Sequence, residues 1–142
     1  MVRHLPPAAT RRQAGYVDVV PDEQRSRSPF WLHQLAEYLI AAVLIASAWY
    51  SPEPLVQAVL GALIIINAAF ADGAAGAFRV VDRRIHKWFD VVIMALLLIA
   101  AVQGWVDVDT TGRIALPTMA VLMFLLWFNT NFEVDEPEAT HR

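Results

Sequence analysis

The chain has 142 residues, 57% of them hydrophobic and 18% charged, too apolar a balance for an ordinary soluble domain. A net charge of −3 with no basic stripe argues against nucleic-acid binding. With no cysteine, a disulfide framework, thiol catalysis and thiolate metal sites are excluded.

Residues 1–28 carry Pro6-Pro7, scattered charge and a short Tyr16-Val-Asp-Val-Val20 stretch. Such a tail buries too little surface to offset its ordering entropy, so disorder is expected there. Its apolar content is too thin for a secretory signal. Ser28-Pro29 reads as a helix start, with Ser as the cap and Pro at the first helical position.

Four apolar runs follow, and each predicts a transmembrane helix of roughly the 20 residues a bilayer requires. The first covers about Phe30 to Tyr50, with Trp31 at one end and Trp49-Tyr50 at the other, as suits two membrane interfaces. Ser51-Pro52-Glu53-Pro54 is a tight turn in which Ser51 is expected to cap and Pro52 to open the second helix, which continues to about Phe70. Gly73 and Gly76 are expected to break it. In the connection 72–83, Phe78, Val81 and Ile85 alternate with Arg79, Asp82 and Arg83, a pattern that predicts a short helix on the membrane surface. The third helix is placed at about Arg84 to Trp105. Asp107, Asp109 and Gly112 mimic a calcium loop, but Thr118 stands where its last acidic ligand belongs, so a solvated turn is expected. The fourth helix is placed at about Arg113 to Asn131, with Pro117 in its first turn or at a kink. Residues 133–142 form an acidic tail.

Small pairs such as Ala42/Ala46, Ala58/Ala62 and Ala100/Gly104 permit close helix approach. Five Arg precede the first run, and Arg79, Arg83, Arg84 and Lys87 lie between the second and third, whereas the other two connections carry none and one (Arg113). The positive-inside rule then puts both termini and the central loop in the cytoplasm. Ten of the eleven basic residues are Arg, as in chains from GC-rich bacterial genomes, so a bacterial inner membrane is expected.

The polar residues repeat. His33 and Glu37 open the first run as His-x-x-x-acid, and His86 and Asp90 open the third in the same way; both pairs recur after 53 residues. Asn67-x-x-Phe70 and Asn129-x-x-Phe132 close the second and fourth. This predicts an all-α protein of four transmembrane helices built as two tandem hairpins, 29–71 and 84–132. Their approximate two-fold axis would lie along the membrane normal. His33, Glu37, Asn67, His86, Asp90 and Asn129 would then converge near the cytoplasmic surface. Three readings suit them: carboxylates resting among headgroups, hydrogen bonds that fix helix packing, or a metal or proton site. The order His-x-x-x-acid departs from the Glu-x-x-His of di-metal carboxylate bundles.

Trp88-Phe89-Asp90 is similar to the tryptophan–acid opening of the SPW-repeat membrane proteins, small bacterial proteins of tandem two-helix units. Ser51-Pro52 resembles the start of their Ser-Pro-Trp. Here Glu53 replaces the tryptophan, and the second unit has Gln103-Gly104-Trp105. The resemblance implies a fold of paired membrane hairpins and carries no activity with it.

No Ser/His/Asp set, nucleotide loop or zinc motif is present, so neither enzymatic activity nor a cofactor is expected. The expected role is an accessory or scaffolding subunit, docked through its helix faces on a larger membrane complex or on copies of itself. The rival is a small ion- or metal-handling membrane protein that uses the His/carboxylate set.

Overall fold

The structure, a computed structural model, describes residues 28–133; the expectations for the two tails fall outside the described residues. It is all-helical, with α1 Phe30–Trp49, α2 Leu55–Phe70, α3 Arg83–Val102 and α4 Thr110–Asn129. Three of these, α1, α3 and α4, are long and apolar enough to cross a membrane; α2, with 16 residues, is shorter.

The helices form a closed bundle. α1 packs most extensively on α2 and α3 on α4, and the ring is completed by α1 against α4 and α2 against α3. Leu44, Ile64, Leu97, Leu116 and Met123 fill its axis, all essentially inaccessible. Small side chains bring the backbones together, because packing and not water exclusion must join helices whose outer faces are equally apolar. A Cβ on Gly61 would lie 2.7 Å from Cγ1 of Ile45 and 3.2 Å from the Ala41 carbonyl oxygen, so α2 meets α1 at that point. Ala41, Ala68, Ala101 and Ala120 serve similar contacts. The pairs picked out by spacing do not: Ala42, Ala46 and Ala62 face outward, and Gly104 has open space around it.

Several element ends differ from the sequence expectation. α1 begins after Pro29, which is extended, and no side chain caps it. Ser28 is instead drawn into a parallel bridge with Thr130, its amide donating to the Asn129 carbonyl at 2.8 Å. α2 begins at Leu55, not Pro52, because Ser51 caps a tight turn: its Oγ accepts from the Glu53 amide at 3.1 Å. α2 ends at Phe70, as expected, with Ala71 already extended before the glycines are reached.

The connection after α2 contains no surface helix. Ala71 bridges Val81, and Arg79 adopts a positive φ of 52°, where a helix cannot continue. A glutamine from another element holds this loop. Gln34, fully buried on α1, donates through Nε2 to the Ala68 and Ala71 carbonyls and accepts from the Ala75 amide. Gly73 and Gly76 make room for it, since a Cβ on either would collide with Gln34, Phe30 or the Ala71 carbonyl.

At the other end of the bundle the supposed solvated turn is a cap. Asp109 accepts from the Gly112 amide at 3.0 Å and so begins α4 at Thr110, earlier than expected. Pro117 is the eighth residue of that helix and does not end it.

Candidate metal centre

α1 and α3 share a register, and this register builds the site. Glu37 lies seven residues past Phe30 and Asp90 seven past Arg83, each about 10 Å along its helix. His33 and His86 lie one turn nearer the helix starts, on the same faces. All four side chains point into the bundle and are 0–1% exposed, so none of them rests among headgroups.

They form an alternating ring. His33 Nε2 is 3.2 Å from Asp90 Oδ2 and 3.8 Å from Glu37 Oε1; His86 Nε2 is 3.3 Å from Glu37 Oε2 and 3.6 Å from Asp90 Oδ1. One ligand atom from each residue can be chosen so that all four lie within 4.8 Å of one another. The Nε2 atom of each histidine faces a carboxylate on both sides.

The hydrogen bonds around the ring are uneven. Asn67 Nδ2 donates to Asp90 Oδ1 at 2.6 Å, which leaves Oδ2 turned toward His33. His33 Nδ1 is 3.0 Å from the Thr130 hydroxyl, and that hydroxyl is 2.6 Å from the Leu126 carbonyl. A hydroxyl has one proton to give. The Leu126 carbonyl can only accept it, so His33 Nδ1 carries its own proton and donates. In neutral His33 the lone pair is therefore on Nε2, aimed at a carboxylate oxygen. Glu37 has no hydrogen-bond partner for either oxygen, and His86 none for either nitrogen. Buried polar atoms of this kind are costly and are normally paired. A positive charge at the centre of the ring relieves the conflict, whether it is a proton or a metal ion.

Aromatic rings close the end. Phe30 stacks on His33 at 14° and meets His86 edge-on, and Phe132 lies 5.2 Å from His33 and 5.7 Å from Phe30 between centroids. Arg83 sits over the outer face of Phe30, 4.9 Å from its centroid, and Lys87 lies 5.3 Å from that of Phe132. The Ser28–Thr130 bridge ties the two halves of this lid together.

Of the six residues singled out by the repeat, the structure brings five together: His33, Glu37, Asn67, His86 and Asp90. Asn129 is not among them; it is exposed and donates to the Leu125 carbonyl of its own helix. Thr130 takes its place. The inward stripe of α4 runs Gly112, Leu116, Ala120, Met123, and three- or four-residue steps carry it through Trp127 to Thr130. That stripe was the available signal, and the matched Asn-x-x-Phe spacing obscured it.

Comparison with family models, with curated proteins and with solved structures gives no match to this chain. The reading of the site therefore comes from its own geometry.

Proposed function

We propose that this chain is an ion-binding membrane protein whose working centre is the ring of His33, Glu37, His86 and Asp90. The observation that carries the reading is that Glu37 and His86, inside a fully buried ring of alternating bases and acids, are held by ion-pair contacts of 3.3–3.8 Å but by no side-chain hydrogen bond. A set of polar residues that only fixed helix packing would be expected to satisfy its own hydrogen bonds.

In this reading the four helices are four spans arranged as two tandem hairpins, the architecture that the SPW-repeat resemblance also implies. The Arg-rich helix ends support a topology with both termini, the central loop and the ring on the cytoplasmic side of a bacterial inner membrane. The role in this reading is binding, with the Thr130 hydroxyl committed to the Leu126 carbonyl at 2.6 Å.

A second reading, an accessory subunit docked on a larger complex, is favoured by α2. At 1.5 Å per residue its 16 residues cover about 24 Å, short of a bilayer core of about 30 Å, a mismatch that a partner's helices can cover. The two roles are compatible in one protein.

The test is ion binding by the full chain in native-lipid nanodiscs, across protons and a panel of divalent cations, beside the His33→Ala/His86→Ala double variant. Loss of binding with assembly intact supports the ion-binding centre. Unchanged ion behaviour in the double variant removes it. The mass of the gently extracted native assembly tests the docking role: a partner retained in fixed ratio supports it, and a lone monomer or homo-oligomer removes it.

A further inference from the structure

Building on the ion-binding reading, we infer that the ring selects a divalent first-row transition metal ion of borderline character, and that Thr130 is the positioning residue that prepares His33 to bind it.

The donor set argues for the class of ion. Two imidazole nitrogens and two carboxylates suit ions such as Zn²⁺ or Co²⁺. Ca²⁺ requires six to eight oxygens, and Mg²⁺ prefers oxygen ligands and retains waters. The ring offers neither in a buried apolar end. The size of the ring suits such an ion. Ligands at about 2.0–2.1 Å in tetrahedral geometry stand about 3.3–3.4 Å from one another. One ligand atom from each residue can be chosen so that all four lie within 4.8 Å, so closing on an ion draws the longest edge in by up to about 1.4 Å, a reach that side-chain rotation supplies.

The role of Thr130 follows from proton accounting. A metal-binding histidine needs a free lone pair on one nitrogen and is fixed by a hydrogen bond from the other. The Leu126 carbonyl takes the Thr130 proton, the Thr130 oxygen takes the His33 Nδ1 proton, and Nε2 is left as the ligand atom. Asn67 orients Asp90 in the same manner by holding Oδ1. The Asn67 backbone lies beside His86, but no contact of its Nδ1 has full hydrogen-bond geometry, so the two histidines are not equivalent and His33 is the more firmly oriented one.

The experiment is a Co²⁺ titration of the full chain in nanodiscs, followed by its visible absorption and then by competition. Expected is one Co²⁺ per chain with the intense bands of a low-coordinate nitrogen–oxygen site. Stoichiometric Zn²⁺ should displace it, and a large excess of Mg²⁺ or Ca²⁺ should not. Thr130→Val should weaken Co²⁺ affinity about 10–100-fold, and Thr130→Ser should restore it. Asn129→Ala, one residue away and outside the ring, should change nothing. Displacement of Co²⁺ by Mg²⁺ or Ca²⁺ at comparable concentration overturns the metal class but leaves an ion-binding centre. An unchanged affinity in Thr130→Val overturns the positioning role. If no divalent ion binds while protons do, the metal inference falls and the broader reading stands; if neither binds, both fall.

Discussion

The two ends of the bundle use the same kinds of side chain for different purposes. At one end a single oxygen of Asp109, Oδ1, gathers three donors. It takes the Gly112 amide, the Ser51 hydroxyl at 2.9 Å and Gln57 Nε2 at 3.4 Å, and so ties the turn after α1 and the first turn of α2 to the start of α4. Close by, Gln103 uses its oxygen for the Trp105 and Val106 amides and its nitrogen for two carbonyls, while Arg113 reaches back to the carbonyls at the end of α3. At the other end the ring of His33, Glu37, His86 and Asp90 is better buried and poorly bonded. Among the described residues five buried side-chain polar atoms have no hydrogen-bond partner; four belong to Glu37 and His86, and the fifth is Oε1 of Gln57. The latch end thus leaves one such atom open and the ring four, and what a buried site leaves open is what it has to offer a ligand.

The largest effect should come from separating these two ends. Glu37→Gln is expected to reduce metal affinity by at least about 100-fold, since it removes one of four ligands and its charge. Stability without metal should stay within about 1 kcal/mol, because Gln fills the same space, no hydrogen bond is lost, and the ion-pair contacts to His33 and His86 disappear together with the cost of burying the charge. Asp109→Ala should do the reverse: metal affinity unchanged and the unfolding temperature lowered by a few degrees as the cap and its two cross-links are lost. Isothermal titration and thermal unfolding in the same detergent check both. If Glu37→Gln unfolds the protein or Asp109→Ala weakens the metal, the ends do not divide the work in this way.

Next in size is the loop that supports the ring from outside. In Gly76→Ala the new Cβ meets the Ala71 carbonyl oxygen, a backbone atom that cannot step aside, and it crowds Gln34 Nε2 at 3.2 Å. The expected loss is about 1–3 kcal/mol. Gly104→Ala, with nothing within 4 Å, is the control and should be neutral. Equal effects of the two in chemical denaturation would show that Gln34 does not hold the loop.

A smaller effect is expected at the lid. Phe132 covers His33 but supplies no ligand. Phe132→Ala should therefore raise the rate at which a chelator strips the metal by about tenfold, the equivalent of one aromatic contact of about 1.4 kcal/mol, with the equilibrium affinity changed much less. Stopped-flow exchange measures this. Unchanged rates would move the entry path elsewhere.

Much of this was legible in the sequence, and the failures share one cause. The apolar runs marked four helices to within a few residues, because composition along a helix is a local property. The 53-residue offset from His33 to His86 and from Glu37 to Asp90 also spans Phe30 to Arg83, the first residues of α1 and α3; the repeat therefore reported true register. Contacts from distant parts of the chain were not legible. The amphipathic pattern over Phe78, Val81 and Ile85 suggests a helix, yet Gln34, more than 30 residues away, takes the backbone groups that hold the loop irregular. Asp109 reads as a solvated turn until Ser51 and Gln57 are seen to arrive from the other hairpin. Asn129 and Thr130 are adjacent in sequence and about 100° apart around α4, and only the inward stripe distinguishes them.

The smallest effect separates the ends by pH. The Gly112 amide holds the Asp109 carboxyl below the ordinary aspartate range, helped by Ser51 and Thr111 and opposed by partial burial. A lowered folded-state pKa means that ionised Asp109 contributes stability in full above its unfolded-state pKa. The contribution is lost as pH falls through the folded value, so it fades from about pH 5 downward. Asp109→Asn retains an acceptor for the cap but cannot titrate. The difference in unfolding temperature between the parent chain and this variant should therefore be constant near neutral pH and shrink in acid. Groups common to both proteins cancel in the difference. A gap that stayed constant into acid would mean that Asp109 stabilises α4 through its shape alone, and that the latch, unlike the ring, does not depend on charge.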